Sequence, residues 1–289
     1  MFKGTGTALV TPFTDSGEID WDAFETLVAS QIEGGIDALV ACGTTGEPST
    51  LTLAEQGEVI RFVLDQSAGR VPVIAGIGGN NTAEVAALAA EYSFLDLAGL
   101  LAVTPYYNKT TQEGLIAHYT TVADASSLPI IVYNVPARTG LCIQPETMGV
   151  LADHPRIAAL KEASGSLPLV MEMFRVVGDR LHIFSGNDDQ VYPLLALGGR
   201  GVISVTSNLF PELMGGITSA YFAGDQKQAL KRQLELLPLI SLLFAQVSPV
   251  PVKAAMAEVG LIGNNLRLPL VPLSEALASP LLAEVRAWA

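Results

Sequence analysis

Eight short apolar runs, each ending in a turn, constrain this fold more than any other feature of the sequence. They occupy residues 6–10, 37–42, 71–76, 99–103, 129–133, 157–161, 181–185 and 201–205. The runs are continuous rather than alternating, the pattern of parallel strands buried on both faces. Stretches of helical periodicity lie between them at 21–33, 53–66, 82–92, 112–125 and 169–177. Thr52 stands where a capping hydroxyl for the second of these belongs.

Eight strands alternating with helices predict an α/β chain, a (β/α)₈ TIM barrel with a C-terminal helical extension. A doubly wound open sheet is the structural alternative, and the absence of a GxGxxG turn after the first strand weighs against it. From about Pro211 onward the chain reads as helical, with stretches at 229–244, 252–259 and 274–288. We expect a catalytic barrel at 1–224 and the extension at 225–289, with 229–244 serving as the eighth barrel helix. No low-complexity linker separates the two parts. A chain of 289 residues is long enough for a full core.

Composition removes several classes of function. A net charge of −13 repels a phosphate backbone, so no nucleic-acid partner is expected. No uninterrupted apolar run reaches membrane-spanning length, and Met1-Phe2-Lys3-Gly4 lacks the layout of a signal peptide; cytoplasmic residence is expected. Cys42 and Cys142 form no CxxC pair and read as reduced thiols. His118, His154 and His182 are scattered, without HxH or HExxH spacing, so no metal site is expected.

In such a barrel the chemistry sits at the C-terminal ends of the strands. Lys161 ends the sixth run after four apolar residues. A lysine there is partly desolvated, which disfavours the ammonium and suits an amine nucleophile. An ordinary lysine paired with Glu162 at the rim is the competing reading. Tyr133 ends the neighbouring run, where a phenol can move protons to and from a carbonyl oxygen, or simply pack in the core. The turn Gly43-Thr44-Thr45-Gly46 offers hydroxyls and amides to a carboxylate, or is a plain strand–helix turn. Arg138 follows Pro136 on a stiffened loop and suits two-point binding of a carboxylate, or is simply solvated. Tyr106 and Tyr107 form an aromatic pair suited to a rim or a subunit interface.

The runs Gly43-Thr44-Thr45-Gly46-Glu47, Thr104-Pro105-Tyr106-Tyr107-Asn108, Tyr133-Asn134-Val135-Pro136, Arg138-Thr139-Gly140 and Lys161-Glu162-Ala163 resemble the 4-hydroxy-tetrahydrodipicolinate (dihydrodipicolinate) synthase family. So do Gly201-Val202-Ile203-Ser204-Val205-Thr206 and Pro249-Val250-Pro251-Val252-Lys253. That family belongs to the pyruvate Schiff-base lyases, which include N-acetylneuraminate lyase. The resemblance implies that Lys161 captures pyruvate as an imine, with Tyr133 as general acid/base, Thr44 as its relay partner and Tyr107 completing the relay from a neighbouring subunit. It implies that Thr45 binds the pyruvate carboxylate, that Arg138 holds the carboxylate of L-aspartate 4-semialdehyde, and that Gly186 and the Ile203 carbonyl line the pocket. It further implies condensation of the two substrates in the diaminopimelate route to lysine, without metal or organic cofactor, by a homo-oligomer of dimer or homotetramer type. Leu53 and Gln56 depart from the polar or histidine side chains of lysine-inhibited members, whereas Asn80, Glu84 and Tyr106 match that cleft. Pro48 is expected to stiffen the start of the helix that follows. Two other functions fit the residues less well. One is a class I pyruvate aldolase acting on a keto-deoxy sugar acid or hydroxy-oxo-acid; the other is a non-catalytic barrel binding small acids.

Overall fold

A computed structural model describes residues 1–288. In chain order the elements are β1 (Gly4–Ala8), α1 (Trp21–Glu33), β2 (Ala38–Ala41), α2 (Leu53–Ser67), β3 (Val73–Gly76), α3 (Thr82–Tyr92), β4 (Gly99–Val103) and α4 (Gln112–Ala125). There follow β5 (Ile130–Asn134), α5 (Pro136–Thr139), α6 (Pro145–Leu151), β6 (Ile157–Glu162), α7 (Leu167–Val177), β7 (His182–Ser185), α8 (Val191–Ala196) and β8 (Gly201–Ser204). The chain ends in α9 (Pro211–Phe222), α10 (Gln226–Leu243), α11 (Val250–Glu258) and α12 (Glu275–Trp288).

The eight strands close into a parallel barrel in sequence order, β1 pairing with both β2 and β8. Closure needs glycine at the seam. Gly4 pairs with Gly201, whose φ is +152°, and a Cβ on Gly201 would lie 1.8 Å from the Gly4 carbonyl oxygen.

Alternation along each strand separates two apolar layers. Phe2, Ala8, Val40, Ile74, Ile131, Ala159, Phe184 and Ile203 pack inside the barrel, where Phe2 and Phe184 stack with ring centroids 4.4 Å apart. Leu39, Leu100, Val132, Leu160 and Ile183 face outward and bury the apolar stripes of the helices, among them Phe24, Val59, Val85, Leu115 and Met173. This two-sided burial explains why the strands read as continuous apolar runs.

The eighth barrel helix differs from expectation. It is α9, which follows β8 directly and packs against β1, α8 and α10. The stretch expected in that role, 229–244, coincides with most of α10 and its C-cap Phe244, and α10 packs on α9, α8 and α12 as the first helix of the extension. Gly215 and Gly216 mask α9 in the sequence, because glycine disfavours helix interiors. Gly216 is used for close approach: a Cβ there would meet the Arg232 guanidinium of α10. Short α5, α6 and α8 were not singled out by periodicity either. No helix among the described residues is long and apolar enough to cross a membrane.

Candidate active site

Strand alternation aims Lys161 inward. Ala159 belongs to the barrel interior, and two residues later Lys161 shares its face, while Leu160 and Glu162 point to the helices. Tyr133 and Lys161 are register partners on β5 and β6. Both are buried, and the Lys161 Nζ stands 4.3 Å from the centre of the Tyr133 ring. Amine and phenol thus share one small volume at the strand ends.

Glu162 does not pair with Lys161. Its Oε2 accepts from Asn134 Nδ2 at 2.8 Å and its Oε1 from the Ser164 amide at 2.7 Å. The Asn134 Oδ1 accepts from the Ile143 amide at 3.0 Å, so Glu162 and Asn134 tie the ends of β5 and β6 together from behind. Burial pushes the Glu162 carboxyl up, against the pull of its bonds to Asn134 and Ser164. Lys161 makes no ion pair among the described residues. The competing rim-pair reading of this lysine is therefore not what the strand geometry produces.

Gly186 follows β7 and lies against the lysine stem. A Cβ there would come within 3.1 Å of Lys161 Cε and 2.6 Å of Ala163 Cβ. Any side chain at Gly186 would displace the Lys161 stem or Ala163. Asp188, just beyond it, is fully buried and accepts from the Val205 and Thr206 amides and the Thr206 hydroxyl, at 3.1, 2.7 and 2.6 Å. It joins the β7 and β8 ends, a role the sequence did not disclose because its partners follow the next strand.

The Thr44–Gly46 segment forms a single 3₁₀ turn after β2. Thr45 is buried, and the Thr11 hydroxyl donates to the Gly46 carbonyl at 2.7 Å, holding the turn against the end of β1. Glu47 closes the turn in the left-handed conformation, with φ 54°. Pro48 opens a second short turn, Pro48–Thr50, before α2, in keeping with its expected stiffening role.

A cavity of about 630 Å³ opens beside these strand ends. Thr44, Tyr133, Val135 and Arg138 line one part of it. Leu53, Gln56, Asn80, Glu84, Leu88 and Tyr106 line another part, continuous with the first. Thr45 and Ile203 are buried and are not among its lining residues; Ile203 sits on the inner face of β8 opposite Gly6 of β1. Arg138 rides on α5, whose first residue is Pro136, is exposed, and forms no ion pair among the described residues. Tyr107 stands apart from the site of its own chain: it is 90% exposed and held at φ 67°. Among the described residues no three His, Cys, Asp or Glu side chains gather as a metal site.

The arrangement offers a buried amine beside a phenol ring, and a hydroxyl-bearing turn and an exposed guanidinium that line the adjoining cavity. It suits imine chemistry on an anionic carbonyl compound. The family model described as the dihydrodipicolinate synthetase family matches residues 1–287. The chain is 50% identical over 276 residues to the 4-hydroxy-tetrahydrodipicolinate synthase of Trichlorobacter lovleyi, covering 96% of this chain and 95% of that one. It is 49% identical over 288 residues to the enzyme of the same name from Exiguobacterium sibiricum, covering 100% and 98%. The crystal structure of dihydrodipicolinate synthase from Thermotoga maritima superposes with a TM-score of 0.96 at 41% identity, covering 100% of this chain and 98% of that one. The chloride-inhibited Acinetobacter baumannii synthase complexed with pyruvate superposes with a TM-score of 0.97 at 40% identity, covering 99% and 98%. With its closed barrel, its lysine and tyrosine side by side and a match along nearly its whole length, the chain belongs to the dihydrodipicolinate synthetase family.

Proposed function

We infer that this chain acts as a 4-hydroxy-tetrahydrodipicolinate synthase, joining pyruvate to L-aspartate 4-semialdehyde through an imine on Lys161. The observation that carries the residue assignment is the Lys161 Nζ standing 4.3 Å from the Tyr133 ring centre, on adjacent strands beside a cavity.

The Lys161 amine adds to the pyruvate ketone, and the carbinolamine loses water to give the imine. Tyr133 supplies and removes the protons, relayed through the Thr44 hydroxyl on the facing turn. Thr45 and its neighbouring amides bind the pyruvate carboxylate, and Gly186 and the Ile203 carbonyl bound the pocket. Loss of a methyl proton converts the imine to an enamine, the protonated imine acting as the electron sink. The enamine carbon then forms a bond to the aldehyde carbon of the second substrate, whose oxygen takes up a proton and remains as the hydroxyl. Arg138 holds that substrate's carboxylate at the mouth. Its amine finally attacks the imine carbon, closes the ring and releases Lys161 as the free amine.

In this reading residues 1–224 form the catalytic barrel and 225–289 a helical extension that supports it. Tyr107 completes the relay of a second subunit, making the working unit a dimer or a tetramer. The chain works in the cytoplasm.

The test is a condensation assay with both substrates, the product identified by mass. The purified chain should form a product of combined mass less one water from imine exchange and ring closure, and Lys161→Ala should form none. Turnover undiminished in Lys161→Ala would overturn the assignment.

A further inference from the structure

The C-terminal extension buries a charge against Glu47, the residue that closes the Thr44–Gly46 turn. Lys253 of α11 places its Nζ 2.5 Å from Glu47 Oε1, and the two side chains are 0% and 1% exposed. The same Nζ donates to the Asn265 carbonyl at 2.9 Å and lies 4.1 Å from the centre of the Phe13 ring. Arg267 continues the network. Its amide donates to Glu47 Oε2 at 3.4 Å, and its guanidinium donates to the carbonyls of Gly17 and Thr50 at 2.8 and 2.9 Å and to Glu55 Oε1 at 2.6 Å.

A buried ion pair contributes little net stability, because the cost of removing both charges from water offsets their attraction. What it imposes is geometry. Glu47 follows Gly46 directly and is a non-glycine residue at φ 54°. Such a backbone persists only where its surroundings over-determine it. The Glu47 carboxylate is held from the extension, and the carbonyl of the preceding residue, Gly46, accepts from Thr11 in the segment after β1. The C-terminal end of the Thr44–Gly46 turn is therefore clamped at two successive residues.

We propose that Lys253, with the Arg267 main chain beside it, acts as a positioning residue which, through Glu47, sets the Thr44–Thr45 turn for capture of a 2-oxo acid carboxylate. The extension is then part of the catalytic apparatus and not only a cover over the barrel. The proposal rests on the imine reading of Lys161 and adds to it.

The experiment measures borohydride trapping of pyruvate on the wild-type chain, on Glu47→Gln and on the double variant Glu47→Gln/Lys253→Met. The double variant removes both charges together, so no lone ion is left buried. Thermal unfolding and the KM for the aldehyde substrate are read in parallel. The half-saturating pyruvate concentration should rise between roughly tenfold and a hundredfold, as expected for a small misplacement of a binding group, with the aldehyde KM little changed. Unchanged pyruvate saturation in a folded double variant, with only the unfolding temperature lowered, would overturn the proposal. If neither buried variant folds, Glu47→Asp decides, since it keeps the carboxylate and its charge but shortens its reach to the Lys253 Nζ. A rise in half-saturating pyruvate there supports the positioning role, and no change overturns it. Absence of trapping in the wild-type chain would overturn the imine reading and this proposal together.

Discussion

Arg138 stands apart from the acidic background of the chain. Net charge is −13, yet this guanidinium lines the cavity without an internal carboxylate to neutralise it. On the proposed reading its donors hold a substrate carboxylate, for which the fork geometry favours two-point contact. Arg138→Ala should lower kcat/KM for the aldehyde substrate by about one to two decades, the kinetic equivalent of losing a charge-assisted bond of about 1.5–3 kcal/mol. Pyruvate trapping should be nearly unaffected. Steady-state kinetics with each substrate varied in turn check this, and equal losses for both would give Arg138 a general structural role. The strand-end position of Lys161 was legible in the sequence because four apolar residues precede it. Its separation from Glu162 was not legible, because it depends on Asn134 and Ser164 competing for that carboxylate.

At the scale of elements, α2 shows how local rules and long-range contacts combine. Thr52 accepts from the Glu55 amide at 3.2 Å, and Glu55 Oε2 accepts from the Thr52 amide at 2.8 Å, a complete capping box. Thr52→Ala should cost about 1 kcal/mol of stability in denaturant unfolding. Glu55 also receives Arg267, whose bond is the largest influence holding its carboxyl down at about 2, with the Thr52 amide assisting. A carboxyl lowered on folding contributes stability that is present above its unfolded value and lost as pH falls toward the folded one. The unfolding-temperature advantage of the wild-type chain over Glu55→Gln should therefore hold at neutral pH and shrink as pH drops from about 4.5 toward 2. A constant gap across that range would contradict the Arg267 contact. Helices α1, α3 and α4 were legible because their apolar residues recur at helical spacing between strong caps, Asp20, Asn81 and Thr111. Helix α9 was not resolved as a separate element: glycine at 215 and 216 lowers its helix propensity, and at Gly216 the close approach of Arg232 from α10 uses the missing Cβ.

At the scale of the molecule, the exposed Tyr107 is the feature that a single chain leaves unexplained. A 90% exposed aromatic in a left-handed backbone conformation gains nothing from its own barrel. On the proposed reading it is delivered into a neighbouring subunit, and a tyrosine at a loop tip is typical interface material. Tyr107→Phe should lower turnover with secondary structure intact by circular dichroism. Mixed with Lys161→Ala under conditions where subunit exchange is shown by mass, it should regain activity, since one site of each hybrid holds both wild-type groups. Demonstrated exchange without rescue would confine Tyr107 to its own chain or to no role. Contacts at this scale are the ones a sequence hides. Glu47 and Lys253 lie in separate motifs, and nothing in their spacing joins them until the extension folds back onto the β2 turn.

The central claim is that Lys161 is the nucleophile. The most direct test is reduction with borohydride in the presence of pyruvate, followed by peptide mapping by mass spectrometry. The account predicts one added reduced pyruvate imine per chain, located on Lys161. Modification at another lysine such as Lys253, or no modification at all, would contradict it.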